Sequence, residues 1–334
     1  MDQALDEVRR RRLKQSDLVA QILVLFSEEY ERIEANFISD ILLPMSDIRN
    51  YLTKKVGIPY SSDSWIVTQI HKYEDDIGMV LFKKTAMPSG PALSLCRDLE
   101  TYLQKRHLYI TQKIRAANGA YDLFLNAIGE KKSSSLRILL GAGSTVTRVA
   151  EIIAQNLGES NLKWEIRTHN LGVVEALGKV GMKGPRAKIL VPGGCFDPAT
   201  HLILGENLSL YTECEFDWIV QGTSFLSGGN LYVERREETA LKSQILRGCK
   251  GPKILLLTGH EAAARPPEDN IPFGTTAEYD YIIHPSLPPT SAAAMRLYRE
   301  LGLDGADFSV MIRNWSYVIL KTNTKQERPY HEAG

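Results

Sequence analysis

Cysteine is scarce in this chain, and the four present, Cys96, Cys195, Cys214 and Cys249, lie far apart with no C-x-x-C pair. No histidine stands at metal-ligand spacing, so neither a zinc site nor a disulfide frame is indicated, and a reducing compartment is expected. Long hydrophobic runs are missing too. The longest, residues 22–26 and 254–257, fall far short of the roughly 20 apolar residues that a membrane helix needs. The charged N-terminus lacks an apolar signal core, so a cytoplasmic protein with no membrane partner is expected. Net charge is absent as well, because 40 Lys and Arg offset 40 Asp and Glu. A whole-molecule attraction to nucleic acid or lipid is thereby excluded, and any such contact must come from a local patch. What remains is ordinary globular material, 43% hydrophobic and 24% charged over 334 residues, enough for about two domains.

The rhythm of the chain changes near its middle. Residues 1–130 read as helical, with apolar spacings of three and four in Leu18, Ile22, Leu25 and Phe26 and again in Leu99, Leu103, Ile110 and Ile114. From Leu136 onward short β-type runs at residues 137–140, 164–168, 188–191, 218–221, 253–257 and 279–283 alternate with helical segments. Such alternation predicts βαβ units and a parallel sheet. The polar stretch 129–135 reads as a linker between the two regimes. The fold class is α/β. An N-terminal all-helical winged helix-turn-helix (1–90) and a linker or dimerisation helix (91–132) precede an α/β effector-sensing domain with a mostly parallel sheet (133–325) and a tail (326–334).

The apolar run 136–140 ends in Gly141, Ala142, Gly143, Ser144 and Thr145 and opens a helical pattern. Glycines permit positive φ and close approach, and hydroxyls at a helix start add donors beside free backbone N–H groups. A phosphate or carboxylate would sit well there. A plain strand-to-helix turn with a Ser or Thr cap fits the same residues.

In the first half, a helix over residues 46–55, a turn at 57–59, a helix over 62–76 and a run at 78–84 scan as a winged helix-turn-helix. Trp65, Ile66, Ile70 and Tyr73 share one face, leaving Ser64, Thr68, Gln69 and Lys72 for the other, with Ser62 among the caps. That outer face suits a DNA major groove, and Lys54, Lys55, Lys72, Lys83 and Lys84 suit phosphates. Residues 64–85 resemble the recognition helix and wing of LysR-type regulators through Ser64, Gln69, Ile70, Glu74, Gly78, Leu81 and Phe82, although Tyr73 and Ile77 replace leucines. In that architecture a following helix pairs subunits. Here residues 92–118 read as one long helix with Leu93, Leu99, Leu103, Ile110 and Ile114 as a possible seam, and a homodimer is expected. A helix packed on its own domain is the alternative. The basic run at residues 9–12 reads as a solvated face or as a DNA-backbone contact.

The second half departs from LysR-type effector domains. Gly141 to Thr145, then Thr168-His169-Asn170, Pro192-Gly193-Gly194, Phe216 to Thr223, Gly228-Gly229-Asn230-Leu231 and Glu238 to Lys242 follow in order. This series resembles the sugar-phosphate sensor domain of DeoR-type regulators, related in fold to ribose-phosphate isomerases and coenzyme A transferases. The resemblance implies an anionic effector, a phosphorylated sugar or derivative, held by Gly141, Ala142, Gly143, Ser144, Thr145, Thr168, His169, Asn170, Gly193, Gly194 and Lys242. His169 departs from the family's T-N-S, and Thr258-Gly259-His260-Glu261 replaces a D-S-S-K-like stretch, so His169 and His260 are expected at the pocket's border.

Together these readings predict a non-enzymatic regulator that binds duplex DNA and a small anionic effector, with no cofactor and no metal. The rival is a sugar-phosphate isomerase or acyl-transfer enzyme on the same sheet, with Glu206, Glu238 or His169 moving protons. A third reading gives the N-terminal helices to a protein partner.

Overall fold

The computed structural model describes residues 13–32, 41–57, 59–77, 80–88, 90–96, 102–131, 135–157, 162–179, 187–205, 208–263, 265–302 and 308–323. The basic run at 9–12, Ile58, Gly78, Leu99, Glu206 and the tail 326–334 lie outside the described residues. The chain divides into two compact units between Ile110 and Thr111.

The first unit runs α1 (Gln15–Arg32), β1 (Leu43–Pro44), α2 (Met45–Val56), α3 (Asp63–Ile77), β2 (Phe82–Met87), β3 (Gly90–Leu95) and α4 (Tyr102–His107). Its three strands form an antiparallel sheet in the order β1-β3-β2. This order of helix, strand, two helices and hairpin is the winged helix-turn-helix arrangement, and β1 adds to the expected all-helical head a third strand beside the wing. Local chemistry sets the joints. The hydroxyl of Ser62 accepts the Trp65 N–H at 3.2 Å and starts α3. Ile66 and Ile70 then join Leu18, Ile22, Ile48 and Leu81 in one buried core.

One tie in this head is polar. The buried Glu74 carboxylate on α3 accepts the backbone N–H groups of Leu81 at 2.7 Å and Phe82 at 3.0 Å, clamping the helix to the start of the wing. Removing it orphans two buried donors, each at a cost of about 1–3 kcal/mol. Glu74→Ala is therefore expected to lower stability by about 2 kcal/mol or more, and Glu74→Gln, which keeps an acceptor, by less. Urea unfolding followed by circular dichroism checks this, and an unchanged midpoint for the alanine variant removes weight from the clamp.

The expected single helix over residues 92–118 is corrected. Residues 92–95 belong to β3, pairing with β2 from Phe82↔Leu95 to Met87↔Gly90, and Leu93 is buried in the head's own core. A helical spacing of leucines cannot outweigh a complete antiparallel ladder. The helix that follows is α5 (Ile110–Lys131), and residues 129–131 of the expected linker form its last turn. It is not a free connecting rod. Ala117, Ala120, Leu123 and Phe124 lie in the core of the second unit. A Cβ on Gly119 would come within 2.7 Å of the Ile283 side chain and 3.0 Å of Tyr317, so only glycine lets helix and sheet approach this closely. The boundaries expected at 90 and 132 give way to that packing, and of the proposed seam Leu93 is buried in the head's core whereas Ile114 is exposed.

The second unit continues with β4 (Ser135–Leu140), α6 (Ser144–Asn156), β5 (Lys163–Arg167), α7 (Leu171–Gly178), β6 (Ala187–Leu190), β7 (Cys195–Asp197), β8 (Leu202–Leu204) and α8 (Ser209–Thr212). Then come β9 (Trp218–Gly222), β10 (Phe225–Ser227), β11 (Asn230–Tyr232), α9 (Arg236–Gly248), β12 (Lys253–Leu256), β13 (Gly274–Thr275), β14 (Tyr281–Pro285), α10 (Ala292–Glu300), β15 (Phe308–Arg313) and β16 (Tyr317–Thr322). Eight strands make one sheet in the order β15-β16-β14-β12-β9-β4-β5-β6. The six from β14 to β6 are parallel, and β16 and β15 close one side antiparallel. Alternation along each strand splits the core in two. Ile138, Leu140, Val220 and Ile254 face α5 and α6, whereas Leu139 and Ile219 face α8 and α9. The result is a three-layer α/β unit, as the βα alternation predicts. Among the described residues no helix is long and apolar enough to cross a membrane.

Candidate functional site

Strand order locates the site before any side chain is considered. From β4 the chain winds outward through β5 to β6, and from β9 it winds the other way through β12 to β14, so direction reverses between β4 and β9. In an open parallel sheet, ligands sit beyond the carboxyl ends of the strands at such a reversal. The loop 141–145 leaves β4 at that point.

The loop is held by backbone and by one asparagine. Gly141 N–H donates to the Val220 carbonyl at 2.9 Å, and a Cβ at 141 would stand 3.0 Å from that same oxygen, so Gly141 serves the junction with β9 rather than a positive φ. Gly143 is the residue that turns the chain, at φ 114°, and it precedes the first turn of α6 with no capping side chain. A Cβ there would meet nothing within 4 Å. The buried Asn170 amide donates to the carbonyls of Gly141 at 3.2 Å and Gly143 at 3.1 Å, while its oxygen caps α7 through Gly172 N–H at 3.0 Å. Thr168 adds a stitch, its hydroxyl donating to the Leu140 carbonyl at 2.7 Å. With the loop carbonyls turned to Asn170, the N-terminus of α6 presents its positive end beyond β4, with Ser144 and Thr145 buried in its first turn.

On the opposite face of the sheet a second cluster closes the same end. The Lys242 side chain, 3% exposed, extends from α9 to donate to the Gly222 carbonyl at 2.6 Å and lies over the Phe273 ring. The amide of Gln221 donates to the Lys242 carbonyl at 3.3 Å and accepts from the Tyr279 hydroxyl at 2.6 Å. His169 is fully buried, with Nδ1 at 3.3 Å from the Tyr211 hydroxyl and Nε2 without a partner. Burial, and after it the charge on Lys242, push the His169 imidazole down to about 3, so it is neutral near pH 7. Burial pushes the Tyr211 hydroxyl up, so it keeps its proton.

The other expected residues are set apart. Gly193 is exposed, and Gly194 is pressed against its own hairpin, where a Cβ would meet the Leu204 carbonyl at 2.3 Å. His260 follows β12, three places from β5 in the sheet, and its Nδ1 contacts the Thr258 hydroxyl. There the buried Glu261 carboxylate accepts Thr258 N–H at 3.0 Å and Gly259 N–H at 2.9 Å, which makes a closed turn, not a border shared with His169. Sequence reasoning passed over Gln221, Tyr211, Tyr279 and Glu261. Gln221 had a signal, a lone amide in the otherwise apolar strand 218–222. Tyr211 had none.

In the head, Ser62 before α3 and Ser64, Thr68 and Lys72 on it are exposed, as are Lys54 and Lys55 in the last turn of α2 and Lys83 and Lys84 on β2. Gln69 is half-buried and accepts from Gln15 at 3.3 Å, which turns it toward α1. Thr68 returns its hydroxyl to the Ser64 carbonyl at 2.8 Å, and Lys55 meets Glu28 at 3.4 Å.

Fold and strand order together define a three-layer α/β protein with a switch point between β4 and β9 and a winged-helix head. No family profile matches the chain, and no curated protein matches it. Among solved structures, ribose 5-phosphate isomerase from Plasmodium falciparum aligns at 18% identity with a TM-score of 0.30, over 65% of this chain and 80% of its own. The enzyme from Methanocaldococcus jannaschii aligns at 13% identity and a TM-score of 0.30, over 65% and 80%. The eIF2B beta subunit from Chaetomium thermophilum aligns at 11% identity and a TM-score of 0.31, over 84% and 83%. At these scores the likeness assigns neither a family nor an activity.

Two expectations follow. Asn170→Ala removes a cap and two ties to the loop, and it should cost about 2 kcal/mol or more in urea unfolding, with Asn170→Asp retaining only the cap. A midpoint unchanged in the alanine variant would show that the loop stands without it. Acid should also weaken the unit. His169 at about 3 and His284, pushed by burial to about 4, take up protons in the unfolded chain near pH 6.5 but not in the folded one. Stability from both is full above about pH 6.5 and is lost as pH falls through that window toward 3. Denaturation midpoints between pH 7.5 and 5 should fall less steeply in His169→Gln and in His284→Gln than in the parent, and identical slopes would contradict the assignment.

Proposed function

We propose that the chain is a DNA-binding regulator whose second unit senses an anionic metabolite, a phosphorylated sugar or derivative. The observation that supports the DNA half is the division of α3, where Ile66, Ile70 and Glu74 face the core while Ser64, Thr68 and Lys72 are exposed. Four further exposed lysines, Lys54, Lys55, Lys83 and Lys84, flank that surface and suit backbone phosphates. With zero net charge the attraction must come from local sets such as this one, so affinity should be modest and strongly salt-dependent. For the sensing half, support comes from a helix N-terminus at the switch point with an asparagine holding the loop carbonyls aside. Regulation is then linkage: an effector that prefers one form of the protein tenfold shifts DNA binding by about 1.4 kcal/mol.

The test is fluorescence anisotropy of the full chain on a random duplex pool at 50 to 200 mM salt, with and without ribose 5-phosphate. Binding at the lowest salt is expected, with the slope of log K against log salt reduced by about 1 in Lys72→Ala and again in Lys84→Ala. No retention of duplex at low salt overturns the DNA half. Turnover of ribose 5-phosphate by the purified chain would instead favour an enzyme on this sheet.

A further inference from the structure

At the carboxyl ends of β5, β4 and β9 the parallel registers pair Arg167 with Leu139 and Leu140 with Val220, and continuing them past these last pairs brings His169, two residues beyond Arg167, level with Gly141 and Gln221. Adjacent strands lie about 4.8 Å apart, which puts His169 one strand from the glycine that opens the loop. Its place is over-determined. The His169 carbonyl accepts the Ile203 N–H at 2.8 Å, its ring meets the Tyr211 ring edge-on at 5.9 Å, and the next residue is the asparagine tied to the loop. Gln221 in the same row is bonded at both ends of its amide. The Nε2 of His169 is not bonded at all. A buried polar atom left unmatched costs about 1–3 kcal/mol, and folded proteins keep few of them. His284 carries a similar nitrogen, but its ring lies on β14 against Tyr298, away from the loop.

Resting on the effector reading above, we propose that His169 is the specificity-determining contact of the sensor, its Nε2 taking a hydroxyl of a phosphorylated polyol whose phosphate lies at the 141–145 loop. The imidazole carries no charge near pH 7, so it selects for a neutral oxygen and leaves the anionic group to the helix N-terminus. Tyr211 either donates to Nδ1 or accepts from it, which leaves Nε2 a lone donor or a lone acceptor. A hydroxyl satisfies both cases, because it donates and accepts. Sites built to bond a hydroxyl reject analogues that lack it far more strongly than apolar pockets reject an extra methylene.

Calorimetry of the full chain with ribose 5-phosphate, 2-deoxyribose 5-phosphate and inorganic phosphate tests this. The parent should bind ribose 5-phosphate at least tenfold more tightly than inorganic phosphate. His169→Phe should erase that preference while leaving inorganic phosphate unchanged, and Tyr211→Phe should reduce it. Should the variants fail to fold, the imidazole nitrogen shifts of the parent give the same answer, because saturation with ribose 5-phosphate should move the Nε2 resonance of His169. Preference retained in His169→Phe, or a resonance that stays in place at saturation, overturns the assignment alone. Failure of the parent to bind any of the three probes, with duplex still held, overturns the sensing half and this inference together. Loss of duplex binding with the sugar-phosphate preference intact overturns only the DNA half.

Discussion

A single buried amide organises the second unit. Asn170 has two donor hydrogens and one acceptor oxygen, and it uses them on Gly141, Gly143 and Gly172, with Thr147 also within 3.4 Å. The loop after β4 and the starts of α6 and α7 therefore share one anchor. In a buried setting such bonds are stronger than in water and costly to break, so the loop has one geometry instead of several. Everything that makes the switch point a credible binding place depends on it: the carbonyls are drawn to one side, the N-terminus of α6 is left to the other, and the two strand ends are locked side by side.

The buried Glu74, Glu261 and Lys242 side chains follow one rule, each meeting polar partners from the backbone. Glu74 in the head and Glu261 beyond β12 are both sunk among apolar neighbours, and each is surrounded by backbone N–H donors. The Lys242 side chain meets a carbonyl and an aromatic ring. Beside the switch point, His169 keeps a nitrogen unmatched at 1% exposure. Other buried polar atoms also lack partners, His284 Nε2 among them, and His169 is set apart by its place next to Asn170 at the switch point.

Much of the head was legible from residue spacing. Ser62 as a cap, the buried stripe of α3 and the exposed Lys72 follow from 3.6-residue periodicity and capping chemistry. Glu74 was noticed as part of a pattern, yet its clamp on Leu81 and Phe82 was not, because a carboxylate's partner seven residues away depends on how the chain folds back. Gln69 shows the same limit. Spacing assigns it to the outer face, whereas its contact with Gln15 is decided by how α1 packs.

By itself the sequence determined the alternation of strands and helices and the glycine turn after β4, since each is a local preference of the backbone, whereas the stitching of that turn by Thr168 and Asn170 joins residues 27 to 29 positions apart. Only the tertiary structure decided that residues 92–95 are a strand, that α5 lies flat on the sheet through Gly119, and that the charge on Lys242 reaches His169 while His260 stands three strands off. Those outcomes depend on pairings between segments far apart in the chain. Strand order and close packing are settled by the sum of all such contacts, and no window of neighbouring residues contains that sum.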